Sequence, residues 1–350
     1  MKLAIVCASG IGDALIFQTA SFALRAQGWE ATIFSDHLKS FGSWTFSDSA
    51  PQPTPENMAT IFSPFDAIFL QHDNSPKAFQ IKTLGIPVFT FYGSHLPSKH
   101  GNFQKKWDYL CDRSKTMVEN LSHACLQFFQ TKIDGYTQSD SKVGLWAGLK
   151  AAENRFLNRG LYSSIPAPCS RIDFRRFEPA QRPTFESLWV YGFNAPPTLI
   201  HRRFKQRVAI HPTASSIEKI WPRHKFLNVA AFLKEHGYEP VFTVSPEEAP
   251  EWNSPVFPTL HDLASFIYES GAFLGNDSGT AHLASLLQIP HLVIAGTGEQ
   301  MPLWKTGWYP GHHICPPRWL MNMKALRKRW KLFISEKDVI KILNCKILSN

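Results

Sequence analysis

The chain has 350 residues, of which 44% are hydrophobic and 19% charged, so it has core material for one large domain or two and is not a disordered chain. Its six cysteines show no paired spacing, and its fourteen histidines include no HExxH, which argues against a zinc site and for reduced thiols in a cytosolic protein. Net charge is +9, and no apolar run approaches the length needed to cross a bilayer.

The chain opens on "LAIVCA" (3–8), an apolar run too short for a secretory leader, and predicts a buried first strand. "ASGIGDAL" (8–15) follows, with Gly10 and Gly12 turning the backbone into a helix from Asp13 to Gln27 that stops at Gly28. A dinucleotide fingerprint would require glycine where Leu15 stands, so that motif is rejected. What remains is Asp13 at a helix start, either a plain helix cap or a carboxylate base kept ionised by the positive helix end. Residues 31–35, 67–71 and 86–92 read as strands, and "AFQIKTLG" (78–85) with 113–131 and 142–158 as helices. This alternation of strand and helix predicts a parallel sheet covered on both faces.

Residues 165–200 are rich in proline and without periodicity, which places an inter-domain connection there. The rhythm then restarts with a strand at 207–212. Beyond it, "HPTASSIEKIWP" offers the hydroxyls of Thr213, Ser215 and Ser216 and a single Lys219, a set that suits a diphosphate or a plain polar loop equally. A helix at 221–237 with Pro222 near its first turn and Gly237 at its stop, a strand at 239–244, a helix at 260–271 and a strand at 272–276 come next. The strand runs into "GNDSGTAHLAS" (275–285), where Ser278, Gly279 and Thr280 would present free N–H groups at a helix N-terminus, an anion site, with His282 one turn in. Taken alone, this junction reads as a helix capped by Asp277 or Ser278. A last strand is expected at 290–296.

Ligands of open α/β sheets bind beyond the carboxyl ends of the strands. Three such junctions, one half supplying a carboxylate and the other hydroxyls, a lysine and a helix N-terminus, fit a group-transfer enzyme. The acceptor is deprotonated from one wall and a phosphorylated leaving group is held on the other. The tail, 319–350, carries eight lysines and arginines against two acids, +6 of the chain's +9. Its "MKALRKRWKLFI" interleaves bases with apolar residues: a solvated helix face, or a surface that leans on anionic lipid. No nucleic-acid motif accompanies the charge.

"GIGDALI", "AIHPTASSIEKIWPRHKF" and "LGNDSGTAHLASLLQIPHLVIAG", in this order, resemble glycosyltransferase family 9, the heptosyltransferases that build the inner core of lipopolysaccharide. The resemblance is good over residues 1–35 and 207–300 and weak between. It implies the α/β GT-B fold, two Rossmann-like doubly wound domains facing across a cleft. The expected division is an acceptor-side domain at 1–165, a connection at 166–206, a nucleotide-sugar domain at 207–318 and a basic helical segment at 319–350 that returns to the first domain. It implies inverting transfer, with Asp13 as catalytic base, Lys219 on the donor phosphate, Asp277, Ser278 and Gly279 cradling diphosphate and sugar, and His282 at the family's histidine. Thr213, Ser215 and Thr280 join the donor site, and Gly10 and Gly12 shape the loop beside it. The implied donor is a nucleoside-diphosphate sugar, ADP-linked by preference, with no metal required. The implied acceptor is a glycan or glycolipid such as a lipopolysaccharide core. The implied setting is the cytoplasm, with the basic tail suited to the inner face of the cytoplasmic membrane.

Two departures stand out. Thr19 occupies the place where the family commonly has proline, and "VSPEEAPEW" (244–252) replaces a glycine-rich turn, leaving Glu247 and Glu248 as rival contacts to the donor. They motivate two alternatives: a degenerate nucleotide-sugar-binding protein, and another GT-B enzyme such as an epimerase.

Overall fold

The computed structural model describes residues 1–93 except 27 and 46, 108–128 except 126, 196–296, 301–317, 319–320, 323 and 329–348. The expected helix at 142–158, most of the connection at 166–206 and Cys169 lie outside the described residues.

The first half folds as a parallel six-stranded sheet. Its strands are β1 (Lys2–Val6), β2 (Glu30–Phe34), β3 (Asp48–Ala50), β4 (Ala67–His72), β5 (Val88–Tyr92) and β6 (Asp108–Leu110), in the order β3-β2-β1-β4-β5-β6. After its first residue β1 is buried throughout, as a central strand covered on both faces must be. Ile5 lies beside Ile33 on one side and Phe69 on the other. Helix α1 (Ile11–Ala26) returns across one face, starting two residues before the expected Asp13, and Gly28 ends it at φ +84°. Its Phe17 meets Phe91 edge to face at 5.6 Å. Short helices α2 (Met58–Phe62) and α3 (Pro76–Ile81) lie further along the chain. Ser75 caps α3 by accepting from the Ala78 amide, and Pro76 fills a first-turn position that needs no donor.

The second half is a parallel five-stranded sheet of β7 (Phe204–His211), β8 (Glu239–Phe242), β9 (Ser270–Asn276), β10 (His291–Ile294) and β11 (His312–Ile314), in the order β11-β10-β9-β7-β8. Its helices are α4 (Arg223–Glu235), α5 (Ala249–Trp252), α6 (Leu260–Glu269), α7 (Gly279–Leu286), α8 (Met301–Trp304) and α9 (Glu336–Ile342). Pro222 is the N-cap of α4, next to the first turn as expected. A Thr259–Asp262 capping box starts α6. β7 begins three residues before the expected 207, so the second unit reaches into the segment assigned to the connection.

One apolar core runs through both halves. Leu15 and Phe17 of α1 share it with Phe273 of β9 and Leu283 of α7. A second seam joins the 3₁₀ segment 38–44 to α6, where Trp44 Nε1 donates to Ser265 Oγ at 3.2 Å and its ring lies 5.1 Å from that of Tyr268. The two sheets are thus stacked with α1, α6 and α7 between them, the GT-B arrangement.

The tail corrects one expectation. Its described residues do not return to the first domain. Leu320, Trp330, Ile334, Val339, Leu343 and Ile347 pack into the outer face of the second sheet. Trp221 Nε1 donates to the Ile334 carbonyl at 3.2 Å, and Lys225 Nζ to the same oxygen at 2.8 Å. The reason is the tail's own apolar pattern, which completes the core over β10 and α4 and leaves Lys337, Lys341 and Lys346 exposed. Of the cysteines described, all are free; burial pushes the Cys7 thiol up to about 12, so it is inert at neutral pH.

Candidate functional site

Strand order reverses between β1 and β4 in the first sheet and between β7 and β9 in the second. At such points the connections leave to opposite faces and a crevice opens beyond the strand ends. Both crevices carry the residues singled out in the sequence. Helix α1 leaves β1 at one, α7 leaves β9 at the other, and their N-termini abut. A β-carbon at Gly279 would stand 3.0 Å from the Gly12 amide nitrogen and 3.1 Å from the Ile11 β-carbon. Gly279 was expected to let a ligand approach; its missing side chain also makes room for the facing helix. Gly10 has a different reason to be small: a β-carbon there would lie 2.8 Å from the Asp13 carboxylate.

Asp13 sits in the first turn of α1, half-buried. Its Oδ1 accepts from Gln71 Nε2 at 2.6 Å, and Gln71 Oε1 accepts from the Ala8 amide at 2.8 Å. Gln71, near the end of β4, therefore ties the carboxylate to the strand that precedes it. Burial lifts the Asp13 carboxyl above its ordinary range, while the Gln71 hydrogen bond and the Lys219 charge work the other way. Desolvation is the largest of these influences. A raised carboxylate is a stronger base, which suits a proton acceptor.

Lys219 closes the 3₁₀ turn Ile217–Lys219, which Ser216 caps by accepting from the Glu218 amide at 3.3 Å. Its Nζ lies 3.2 Å from Asp277 Oδ2. Asp277 is thus paired with the lysine thought to bind phosphate. Asn276, fully buried, fastens the whole loop: its Oδ1 accepts from the Trp221 amide at 3.0 Å and its Nδ2 donates to the Pro212 carbonyl at 2.7 Å. Thr213 is half-buried and Ser215 exposed on this loop.

At the start of α7, Ser278 occupies the N-cap position, yet its hydroxyl makes no capping bond. That hydroxyl is buried and without a partner among the described residues, as is His282 Nδ1. The simple capping explanation of this junction therefore fails, and polar groups stand unused at a helix N-terminus. His282 is held down to about 4, mainly by burial, and the Lys219 charge adds to this while Asp277 opposes it. His282 is neutral at pH 7. His211, at the end of β7, faces the Thr243 carbonyl through Nδ1, so that nitrogen carries the proton. Its Nε2, 3.3 Å from the Thr280 hydroxyl, then accepts from it.

The structure separates the two glutamates. Glu247 is exposed, while Glu248 turns inward, accepts from the Ser245 amide at 3.3 Å and acts on His211. Gln71, Asn276 and His211 had not been singled out. Only their positions at strand ends mark them, a weak signal for common residue types. Among the described residues no cluster of three or more His, Cys, Asp or Glu could hold a metal ion, and no helix is long and apolar enough to cross a membrane.

The fold is that of the GT-B class, two Rossmann-like parallel-sheet domains facing each other. Residues 181–301 match the model of glycosyltransferase family 9 (heptosyltransferase), so the resemblance seen in the sequence is borne out across the second half. Lipopolysaccharide heptosyltransferase 3 of Escherichia coli is 29% identical over 113 residues, which span 28% of this chain and 33% of that protein. Among solved structures, E. coli ADP-heptose lps heptosyltransferase II has a TM-score of 0.58 at 16% identity, covering 98% of each chain. A glycosyl transferase family 9 protein of Veillonella parvula has 0.58 at 15%, covering 100% of this chain and 97% of its own. E. coli heptosyltransferase WaaC with ADP has 0.55 at 13%, covering 98% and 99%. At these identities the solved structures speak for the fold.

Proposed function

We propose that the protein is an inverting glycosyltransferase that moves a sugar, heptose by preference, from an ADP-linked donor to a hydroxyl of a lipopolysaccharide-core acceptor in the cytoplasm. One observation carries the reading. A half-buried carboxylate from the first sheet and a lysine from the second share one cleft, close enough that the Lys219 charge acts on Asp13. The relatives support the donor class: one is named for ADP-heptose and another is described with ADP.

In this reaction Asp13 removes the proton of the acceptor hydroxyl as its oxygen attacks the anomeric carbon from the face opposite the leaving group. General-base help of this kind contributes about 10²–10⁴ in rate. The bond from the anomeric carbon to the diphosphate oxygen breaks, and the new negative charge meets Lys219 and the N–H groups around Ser278–Thr280. Those donors are fixed before the reaction, the arrangement that contributes most to stabilising developing charge. Lys219 and the helix end thereby fill the role a metal fills in other transferases. Thr213 and Ser215 add hydroxyls on the same loop. Asp277 holds Lys219 in place and offers its remaining oxygen to a sugar hydroxyl. Glu248 lies on the nucleotide side.

A thermal-shift panel of ADP, UDP, GDP and CMP tests the donor site. One nucleotide, ADP, should stabilise the fold, because a ligand that binds only the folded state raises its stability; no shift with any of the four would sink the reading. Asp13→Asn should abolish transfer and spare the ADP shift, and EDTA should leave transfer intact.

A further inference from the structure

Two hydroxyls stand at the start of α7, and the structure treats them differently. Ser278 Oγ is buried with no partner among the described residues, so its proton is uncommitted. Thr280 Oγ1 lies 3.3 Å from His211 Nε2. That imidazole is fixed from behind. Its Nδ1 faces the Thr243 carbonyl, which can only accept. Thr243 is itself fully buried and fastened to the neighbouring strand, its amide donating to the Ile210 carbonyl at 2.8 Å. The backbone is equally constrained: His211 pairs with Gly275 of β9, where a β-carbon would stand 3.0 Å from the His211 carbonyl oxygen. A neutral imidazole has one donor and one acceptor. Burial disfavours the charged ring, and Nδ1–H is spent on Thr243, so Nε2 can only accept. The Thr280 hydroxyl must then give its single proton to Nε2. Thr280 is only half-buried, and what it leaves open to a ligand is lone pairs alone.

We propose that Thr280 reads a hydroxyl of the donor and not its phosphates, and that His211 is the positioning residue that sets this choice. The inference rests on the donor site proposed above and deepens it. A phosphate oxygen is itself an acceptor, and two acceptors that meet without a proton between them repel. A sugar O–H supplies the missing proton. Phosphate is left to the groups that still have protons to give: the Ser278 hydroxyl, Lys219 and the amides at the helix start. The hydroxyl belongs to the transferred sugar or to the ribose, and position favours the first. Thr280 follows Gly279, which packs against Gly12, the neighbour of Asp13. The transferred sugar has to lie at that end of the cleft for Asp13 to act on its attacker.

The test is titration calorimetry of the full chain with ADP-heptose, ADP and dideoxy-ADP, whose ribose carries no free hydroxyl. Thr280→Val keeps the shape of the side chain and removes its oxygen. It should weaken ADP-heptose about five- to tenfold, the loss expected for one hydrogen bond, and leave dideoxy-ADP within about twofold. ADP tells the two sources apart: it is unchanged if the hydroxyl is on the transferred sugar and weakened with ADP-heptose if it is on the ribose. Thr280→Ser, which keeps the hydroxyl, should restore most of the affinity. In a His211→Phe background the cost of Thr280→Val on ADP-heptose should shrink, because an untethered hydroxyl is no longer preset as an acceptor. Melting temperatures report whether each variant folds, and if His211→Phe does not, the Thr280 variants decide alone. The proposal is overturned if Thr280→Val weakens dideoxy-ADP as much as ADP-heptose, the mark of a phosphate contact or a disturbed fold, or if it weakens neither. If the wild type binds none of the three ligands, the donor-site reading itself falls and takes this inference with it.

Discussion

Replacing Gln71 by methionine keeps volume and removes the amide that donates to Asp13 at 2.6 Å. That bond favours the ionised carboxylate, and burial opposes ionisation. A hydrogen bond to a charged group contributes roughly 1.5–3 kcal/mol, which is about ten- to hundred-fold in the ionisation equilibrium. The sign follows directly: with the donor gone, Asp13 holds its proton to higher pH. On the proposed reaction, the acid limb of the kcat/KM profile moves upward, and the rate at a fixed pH on that limb falls about ten- to hundred-fold. The plateau at higher pH changes by only a few-fold, because the ionised base is still present there. The assay is donor turnover from pH 5 to 9 with wild type and variant. A variant that merely disturbs packing lowers the plateau and leaves the limb where it was, and that result would refute the assignment of Gln71 as the residue that positions and tunes the base.

Three further outcomes are expected. Lys219→Ala should weaken ADP binding by about tenfold, the low end for a charged hydrogen bond because the lysine side chain is 41% exposed, measured by titration calorimetry. Gly279→Ala should lower the melting temperature by more than Gly12→Ala. Its β-carbon would meet the Gly12 nitrogen at 3.0 Å, whereas one at Gly12 meets the Gly279 α-carbon at an ordinary 3.4 Å; overpacking of the first kind costs about 1–3 kcal/mol. His282 and His291 are held down to about 4 and His313 to about 3, chiefly by burial. The unfolded chain therefore takes up more protons than the folded one below about pH 6.5, and stability present at neutral pH is lost as pH falls toward 4. Between pH 7.5 and pH 5 the loss of stability read from urea unfolding should be about 2 kcal/mol for each such imidazole, up to about 6 kcal/mol together, and equal midpoints would show that these imidazoles are not buried.

Much of this fold is legible in the sequence because the sheets are parallel and covered on both faces. Strands such as β4 and β9 are buried at every position, so their middles appear as apolar runs. The edge strands are not legible. β3, β6 and β11 are three residues each, "DSA", "DYL" and "HHI", and only pairing with a longer neighbour makes them strands. Asp13, Lys219 and Asp277 could be found because each follows a strand and a known family shares their surroundings. Gln71 and Asn276 could not, because their meaning lies in partners 58 and 55 residues away. Gly279 shows the limit from the other side. A small residue at a helix start signals close approach, but not whether a phosphate or another helix does the approaching.

On the proposed reaction, the charges of the cleft connect donor binding to the base. The N-termini of α1 and α7 both point into it, and Lys219 adds a third positive influence. Among the described residues, Asp277 meets Lys219 directly and Asp13 feels it at longer range. A diphosphate entering between them brings negative charge to the same lysine and the same helix ends. Asp13 then loses part of the cationic field that helps it stay ionised and gains an anionic neighbour, so its affinity for a proton rises. Donor binding thus strengthens the base before the acceptor is attacked. The consequence is measurable without any substitution. kcat reports groups in the substrate complex and kcat/KM those of the free enzyme, so the acid limb of kcat should lie at higher pH than that of kcat/KM. Coincident limbs would mean that Lys219 and the diphosphate do not act on Asp13, and the shared cleft would lose its chemical meaning.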